Sequence, residues 1–406
     1  MKNTAWNSFG VSTYFACQWL ITIFAVWLFD DFSSIGYLML AMSITNFIVC
    51  IANYNLRTFQ VSDSKNEFSN NVYVTSRVFT CMISLVFCWI FVLVAGFSTL
   101  QQKVVMAFMV YRACEAFLDV LHGINQKNWR MDINGVSFAA RGVASVAGFM
   151  LLGWIGGVLW GVVGMLAVIV LVGVMYDYPK TKQHTKLSLC YDIRIVQLLK
   201  TCFPLMIVLL VSNFAGAFSR FTVDRIYGTE ALGAFSAVVA PTMIVQVAAI
   251  FVFAPLVNIL TSCLNESKLK EFFKVFTLFG AVIFGFVLLA YVIVLVAGEW
   301  GLVFLFGDSI KPYAFLLPSA IVASGIIALM WYMNLVLIII RDIRGLLYGN
   351  IMAAFICLVL VEVFLIEFGL IGANYIMIVC QGIVIVFFSI RAYCFIRRTG
   401  KHVKCA

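Results

Sequence analysis

The stretch Val104–Gln126, VVMAFMVYRACEAFLDVLHGINQ, is apolar enough to cross a bilayer, yet it carries four ionisable side chains. They are Arg112, Glu115, Asp119 and His122. At about 100° per residue of an α-helix, these positions fall within an arc of about 80°. Charges near mid-membrane are costly, and chains keep them where they face a watery cavity or charged partners. The spacing predicts a helix with one polar face, which is either a functional cavity surface or an internal ladder of ion pairs (Arg112–Glu115, Asp119–His122).

The composition of the whole chain is that of a polytopic membrane protein. Of its 406 residues 64% are hydrophobic and 11% are charged, and the mean hydropathy is +1.05. About twelve apolar segments are long enough to span, the first at about residues 8–29 and the last at about 372–394. The predicted fold class is therefore an all-α membrane protein of about twelve transmembrane helices. The scattered cysteines contain no C-x-x-C pair, so they indicate no metal or redox site. The sequence predicts no catalytic residues either.

The positions of the basic residues predict the orientation. An even number of spans puts both termini on one side, and Lys and Arg concentrate in the intervals on that side and in the tail after Arg391. The exceptions are Lys103, Arg112, Arg220, Arg225 and Lys311. Because cytoplasmic loops carry the excess of Lys and Arg, we expect both termini in the cytoplasm. This distribution also explains the net charge of +9 without a nucleic-acid partner.

A polar interval, Asp177–Lys200, divides the chain nearly in half. We predict an N-terminal lobe of six spans over residues 1–178, a cytoplasmic linker over 179–200, and a C-terminal lobe of six spans over 201–406. Within the linker, Ile193–Leu199 is a candidate for a short interfacial helix, since its apolar residues share one side. Equal topology of the two halves is expected of parallel repeats.

Several short motifs occur in order along the chain. Residues 53–77 read NYNLRTFQVSDSKNEFSNNVYVTSR, residues 126–142 read QKNWRMDINGVSFAARG, and residues 218–237 read FSRFTVDRIYGTEALGAFSA. With Pro255, these stretches resemble the polysaccharide flippases, of the O-antigen type, in the multidrug/oligosaccharidyl-lipid/polysaccharide (MOP) exporter superfamily. The resemblance covers essentially the whole chain. Two positions depart from it: Ser219-Arg220-Phe221 stands where the relatives have Pro-Arg-Tyr, and Ala254-Pro255 where they have Arg-Pro.

The resemblance implies two six-helix lobes around a central cavity. It also implies export of an undecaprenyl-pyrophosphate-linked oligosaccharide across the bacterial cytoplasmic membrane by alternating access, for surface polysaccharide such as O-antigen or lipopolysaccharide. A polysaccharide polymerase and chain-length machinery are the implied protein partners. The other partners are membrane lipids.

The candidate substrate-binding residues are arginines. A pyrophosphate needs cations with many donors, and guanidinium offers five in a planar fork. Arg112 in the first half and Arg220 in the second are the intramembrane candidates, and Arg57 and Arg141 come from the resembling motifs. An alternative for Arg220 is an outer anchor paired with Asp224 four residues on.

The candidate ion-coupling residues are Glu115, Asp119, His122 and Glu362. The chain contains no G-x-x-x-x-G-K-[ST] signature for nucleotide binding, so a proton or sodium gradient is the expected energy source and no other cofactor is expected. Histidine titrates near neutral pH, and a buried carboxylate can be shifted toward that range. For Glu362, a role in lobe packing is an equal alternative to ion coupling.

Two other functions compete with the flippase. A multidrug–cation antiporter of the same superfamily would favour acids over arginines in its cavity. A membrane polymerase or ligase of the same pathway would carry catalytic charges on a sizeable outer loop, and the predicted outer loops are short. We therefore favour a transporter over an enzyme.

Overall fold

The computed structural model describes residues 2–29, 31–63, 66–246, 256, 259–264, 266 and 268–404. No strand occurs among these residues, and nearly all of them are helical. The motif residue Pro255 lies outside the described part. The helices are α1 (Lys2–Phe29), α2 (Phe32–Asn53), α3 (Leu56–Ser62), α4 (Asn70–Val94), α5 (Thr99–Lys127), α6 (Met131–Gly156), α7 (Val158–Val172), α8 (Tyr178–Lys182), α9 (Arg194–Val239), α10 (Leu269–Phe306), α11 (Leu317–Ile339), α12 (Ile343–Phe368) and α13 (Gly372–Lys404).

The predicted all-α membrane fold is confirmed. Nine helical stretches of the described residues are long and apolar enough to span a membrane. Two of these stretches hold two spans each, because Gly228 and Gly369 have positive φ angles of 84° and 69° that break the helix. Helix α5 is not among the nine and carries the charged stripe. Counted with these divisions, the helices agree with about twelve spans, the eighth being described only as far as Gln246.

The chain forms two compact units. The first comprises Met1–Asn213 with Gly228–Gly233, and the second comprises Phe214–Tyr227 with Ala234–Ala406. The boundary lies inside α9, whereas the sequence suggested a linker at 179–200. Ile193–Leu199 is not a separate interfacial helix, because α9 begins at Arg194 and runs on without interruption to the break at Gly228.

In the first unit, α5 is the central helix. It packs against α2, α4 and α7 and also contacts α3 and α6. Small buried side chains make these approaches close, among them Ala52 on α2, Cys81 on α4, and Ala113 and Ala116 on α5. The Cys81 thiol donates to the Ala113 carbonyl at 3.5 Å. The polar side chains of α5 are thereby surrounded by other helices rather than by lipid.

Glycines allow the closest helix crossings in the first unit, as the run Gly153–Gly164 predicts. A Cβ on Gly164 would collide with the carbonyl oxygen of Gly148, and a Cβ on Gly10 would collide with that of Gly135. Helices α1, α6 and α7 therefore pack backbone against backbone, as small residues permit between membrane helices.

The second unit repeats part of this helix pairing. Helix α10 packs on α11, and α13 packs on both α11 and α12. Hydrogen bonds join them: the Tyr332 hydroxyl donates to the Phe276 carbonyl at 2.8 Å, and the Asn374 amide donates to Ser319 Oγ at 2.9 Å. The fifth and sixth spans pair in the first unit just as the eleventh and twelfth do in the second.

Candidate functional site

The centre of the polar stripe is an ion pair between Arg112 and Glu115. These residues lie near the middle of α5, and the guanidinium also donates through Nη2 to Asn46 Oδ1 on α2 at 2.8 Å. Glu115 accepts a hydrogen bond from the Tyr14 hydroxyl of α1, and the Tyr111 hydroxyl lies 3.0 Å from that of Tyr14. The Arg112 side chain keeps 26% of its surface exposed, whereas its Nε is buried and has no hydrogen-bond partner among the described residues.

Asp119 binds two arginines, Arg57 of α3 and Arg77 of α4. Its Oδ1 accepts from Arg57 Nη1 at 2.8 Å, and its Oδ2 accepts from Arg77 Nη2 at 3.1 Å. Arg77 is fully buried, and its Nη1 donates to the carbonyls of Ala52 and Asn53 at 2.8 and 2.6 Å, at the end of α2. This network satisfies the carbonyls at a helix end as well as the carboxylate.

His122 pairs with Asp177, which lies at the end of a π-helical turn, Gly173–Asp177, that continues α7. The His122 Nε2 lies 3.2 Å from Asp177 Oδ1, and the Ser137 hydroxyl of α6 donates to Asp177 Oδ2 at 2.8 Å. The side chains of His122 and Asp177 are 1% and 0% exposed. His122 Nδ1 has no hydrogen-bond partner among the residues that the structure describes.

Arg141 lies in the same interior, between two aromatic rings. Its Cζ lies 4.8 Å from the centroid of Phe138 and 5.6 Å from that of Tyr14, distances at which a cation interacts with a ring face. The side chain is buried, and its Nε has no hydrogen-bond partner in the described part of the chain.

The second unit contains the candidate Arg220 and an exposed ion pair. Arg220 lies on α9, before the break at Gly228. Glu362 forms an ion pair with Arg225, and both side chains are about half exposed, at 47% and 55%. On the same helix as Arg220, Phe218 stacks on Phe214 at a centroid distance of 5.2 Å and lies 6.3 Å from Phe221.

The stripe on α5 thus holds one predicted ion pair and three unpredicted ones. Arg112 and Glu115 form the expected i,i+3 pair, but Asp119 binds arginines of α3 and α4, and His122 binds Asp177. The predicted ion pair between Asp119 and His122 is therefore replaced by pairs to residues of other helices. Arg57 joins this group through Asp119, whereas Arg220 and Glu362 belong to the second unit.

Asp177 and Tyr14 are functional candidates that the sequence reasoning missed. Asp177 stands at the start of the polar interval, two residues before the predicted linker at 179–200, but the helix continues through it to Lys182 and the side chain is completely buried. The only signal for Tyr14 is its place in an otherwise apolar first span.

The cluster in the first unit carries an excess of positive charge. Four arginines face three carboxylates there, and guanidinium groups bind phosphate oxygens through paired, charge-assisted hydrogen bonds. The arrangement can attract an anion and can exchange a proton at its histidine. The arginines of the cluster are Arg57, Arg77, Arg112 and Arg141, and its carboxylates are Glu115, Asp119 and Asp177.

Known proteins match the chain through their structures. No protein-family model and no curated protein sequence matches it. An inward-facing multidrug resistance MATE family transporter of the MOP superfamily matches with a TM-score of 0.72 and 13% identity, over 93% of this chain and 94% of that one. The lipid II flippase MurJ, in an inward closed conformation, matches with a TM-score of 0.73 and 12% identity, over 93% and 86%.

A third match comes from an archaeal protein. A MOP superfamily transporter from Pyrococcus furiosus matches with a TM-score of 0.63 and 12% identity, over 97% of this chain and 96% of that one. These matches cover nearly the whole chain, and the proteins named are transporters and a flippase rather than enzymes. The chain therefore has the transporter fold shared by the MATE proteins and the lipid II flippase MurJ, the fold of the MOP superfamily.

Proposed function

We propose that this protein is a flippase that moves an undecaprenyl-pyrophosphate-linked oligosaccharide outward across the bacterial cytoplasmic membrane by alternating access. The product serves surface polysaccharide synthesis, and both termini lie in the cytoplasm. The observation that carries the proposal is Arg112, whose side chain lies in a predicted span, keeps 26% of its surface exposed, and has a buried Nε without a partner among the described residues.

The surroundings of Arg112 suit an anionic, sugar-bearing headgroup. Arg112 has fixed geometry, because Glu115 holds one side of the guanidinium and Asn46 the other. Tyr111 also accepts a hydrogen bond from the Gln18 amide at 3.1 Å. Hydroxyl and amide groups of this kind donate to and accept from sugar hydroxyls, and guanidinium binds phosphate oxygens.

Arg220 supplies the second anion-binding group. The sequence places it inside a predicted span, and an intramembrane arginine is expected to serve a substrate or ion pathway. Arg57 and Arg141 are secondary candidates. Arg57 is already paired with Asp119, so a substrate would have to share the guanidinium with that carboxylate. Arg141 is held between aromatic rings, so a substrate would have to reach it there.

A multidrug resistance MATE transporter and MurJ match the chain about equally well, so the choice between a flippase and a multidrug–cation antiporter rests on the charges of the cluster. In the first unit, Glu115 and Asp119 form ion pairs with arginines, so the acids that a cationic substrate would need are already neutralised. An excess of positive charge repels a cationic drug but attracts a pyrophosphate.

The test uses cells in which the gene for this chain is replaced by variants. Arg112→Ala removes the cation, and we expect surface polysaccharide to be lost and lipid-linked oligosaccharide to accumulate, while the amount of the protein in the membrane stays normal. Arg112→Lys restores display only in part, because an ammonium lacks the fork geometry. Arg130→Ala is the matched control, since Arg130 pairs with Asp132 at the start of α6. Normal polymer display in Arg112→Ala cells would contradict the proposal.

A further inference from the structure

We propose that His122 and Asp177 form a proton-binding site in the interior of the first unit, and that its proton couples transport to a proton gradient. The coupling step rests on the function proposed above; the proton site itself does not. Asp177 is the residue that this inference adds, together with the π-helical turn that positions it.

The geometry provides one site for one proton. With neutral His122, the Nε2–H donates to Asp177 Oδ1 across 3.2 Å, and Nδ1 keeps an unshared electron pair without a partner among the described residues. A proton that binds at Nδ1 converts the contact into an imidazolium–carboxylate pair, and its release restores the neutral ring. Ser137 holds the other carboxylate oxygen in both states.

The other acids of this unit's cluster are less suited to exchange a proton. Arg112 holds Glu115, and Arg57 and Arg77 hold Asp119, so a proton on either carboxylate would weaken an ion pair to arginine. Asp177 instead contacts a hydroxyl and a titratable ring. The pair is therefore the place in the cluster where a proton can be gained or lost without breaking an ion pair to arginine.

Charged and titratable groups of several helices act on this pair. Arg141 on α6 and Arg57 on α3 lie within electrostatic range of His122, and both disfavour a second positive charge. Tyr176 lies beside Asp177 on the same turn, and Tyr14 of α1 reaches the pair's surroundings through its contact with Phe138. The Phe138 ring packs on His122 at 4.8 Å. Burial of the ring, followed by the two arginines, opposes a positive charge on His122, and the Asp177 carboxylate favours it.

The π-helical turn links the site to the backbone. Such turns are rare and occur frequently at functional sites. Gly173 begins the turn, and a Cβ there would lie 3.0 Å from Leu118 of α5, so the turn and α5 are in close contact. A change in the His122–Asp177 contact therefore acts directly on α5, the helix that carries Arg112.

The first experiment measures the proton directly, without any substrate. The chain has three histidines, so replacing His184 and His402 by Gln leaves His122 as the only one. Nuclear magnetic resonance of ¹⁵N-histidine-labelled protein in lipid nanodiscs then follows the ring between pH 5 and 9. We expect interconversion between neutral imidazole and imidazolium. A single form throughout would overturn the proposal.

Two variants test the role of the carboxylate. Asp177→Asn removes the negative charge, and we expect the imidazolium signal to disappear at a pH at which the parent retains it. Asp132→Asn is the matched control, because it removes an acid of α6 that is paired with Arg130, and it leaves the titration unchanged. If Asp177→Asn does not fold, Ser137→Ala serves instead. It retains the carboxylate but deprives it of a donor, so the imidazolium persists to higher pH. An unchanged titration in either folded variant would contradict the site.

The second experiment tests the coupling. Vesicles that contain the protein and lipid-linked oligosaccharide extracted from its host receive an imposed pH gradient. We expect the flipping rate of the parent to change with the gradient and that of His122→Gln to be the same with and without it. A parent-like response of His122→Gln would refute the coupling. If the parent protein fails to flip this lipid, the proposed function is wrong, while the resonance experiment still decides whether the proton site exists.

Discussion

Asp119 accepts a hydrogen bond from the fully buried guanidinium of Arg77 at 3.1 Å, and the same guanidinium binds two carbonyls at the end of α2. A buried cation that loses its carboxylate is left uncompensated, which typically costs about 3–5 kcal/mol. The Asp119–Arg77 pair therefore holds α2, α4 and α5 together. The carboxylate therefore serves the packing of the unit.

The first prediction concerns Asp119→Asn. We expect a lower midpoint of thermal unfolding in detergent and less protein in the membrane, because Arg77 keeps its charge without a counter-ion. Asp308→Asn is the control: it removes the carboxylate of an exposed pair with Lys311, and such pairs contribute little. The ion-coupling role that the sequence predicts for Asp119 gives a different outcome, namely normal stability and a weakened response to an ion gradient.

The second prediction concerns Asp63 in the loop between α3 and α4. Burial opposes its charge, but the N–H groups of Glu67 and Phe68, with nearby Lys127, outweigh burial and lower the pKa of the carboxyl below its ordinary value. A lowered pKa means that the carboxylate stabilises the fold at neutral pH, and that this contribution is lost as the pH falls through the folded-state pKa.

Asp63→Asn should therefore lower the free energy of unfolding at pH 7 by about 1–3 kcal/mol. The difference from the parent should shrink below pH 4, as measured by the unfolding midpoints of both proteins. Glu67→Gln changes an exposed acid of the same loop and should have little effect at either pH. A difference that grows as the pH falls would contradict this reasoning.

The third prediction concerns the glycine crossing of α6 and α7. Gly164→Val forces the helices apart, because even a Cβ at this position would collide with the Gly148 carbonyl. We expect a loss of about 1–3 kcal/mol, as for other overpacked interiors. Gly382→Val is the matched control in another span, since its Cβ would meet nothing within 4 Å. Equal stability of the two variants would show that the close crossing is not required.

The fourth prediction concerns topology. A cysteine introduced at Lys186 and one at Lys401 should both resist a membrane-impermeant maleimide applied to intact cells, whereas one at Lys311 should react. The parent chain provides the background labelling of its own cysteines. The reason is the concentration of Lys and Arg on one predicted side. Opposite labelling of positions 186 and 401 would rule out an even number of spans between them.

The fold was predictable because its signal is spread over the whole chain. Long apolar segments specify membrane helices, and the glycine run Gly153–Gly164 specifies a close crossing, so neither depends on distant contacts. The bounds of individual helices were harder to predict from the sequence. Nothing local distinguishes Ile193–Leu199 as an interfacial helix from the same residues as the first turns of α9.

The pairing within the site could be predicted only where it is local. Arg112 and Glu115 are three residues apart on one helix, and that pair forms. Asp119 and His122 find their partners on other helices, 42 and 55 residues away in sequence. Helical periodicity gives the angle at which a side chain leaves its own helix, but it does not say which neighbour lies opposite. Asp177 was missed for this reason.

The most direct test of the central claim is a flipping assay in reconstituted vesicles. The vesicles contain lipid-linked oligosaccharide from the host, and a membrane-impermeant glycosidase reports how much of the headgroup reaches the outer leaflet with time. We expect the parent and Arg130→Ala to flip the lipid, and Arg112→Ala to be slower by about 10–100-fold, since hydrogen bonds to a charged group contribute about 1.5–3 kcal/mol. A parent protein that flips the lipid no faster than empty vesicles do, or an Arg112→Ala variant as fast as the parent, would contradict the account.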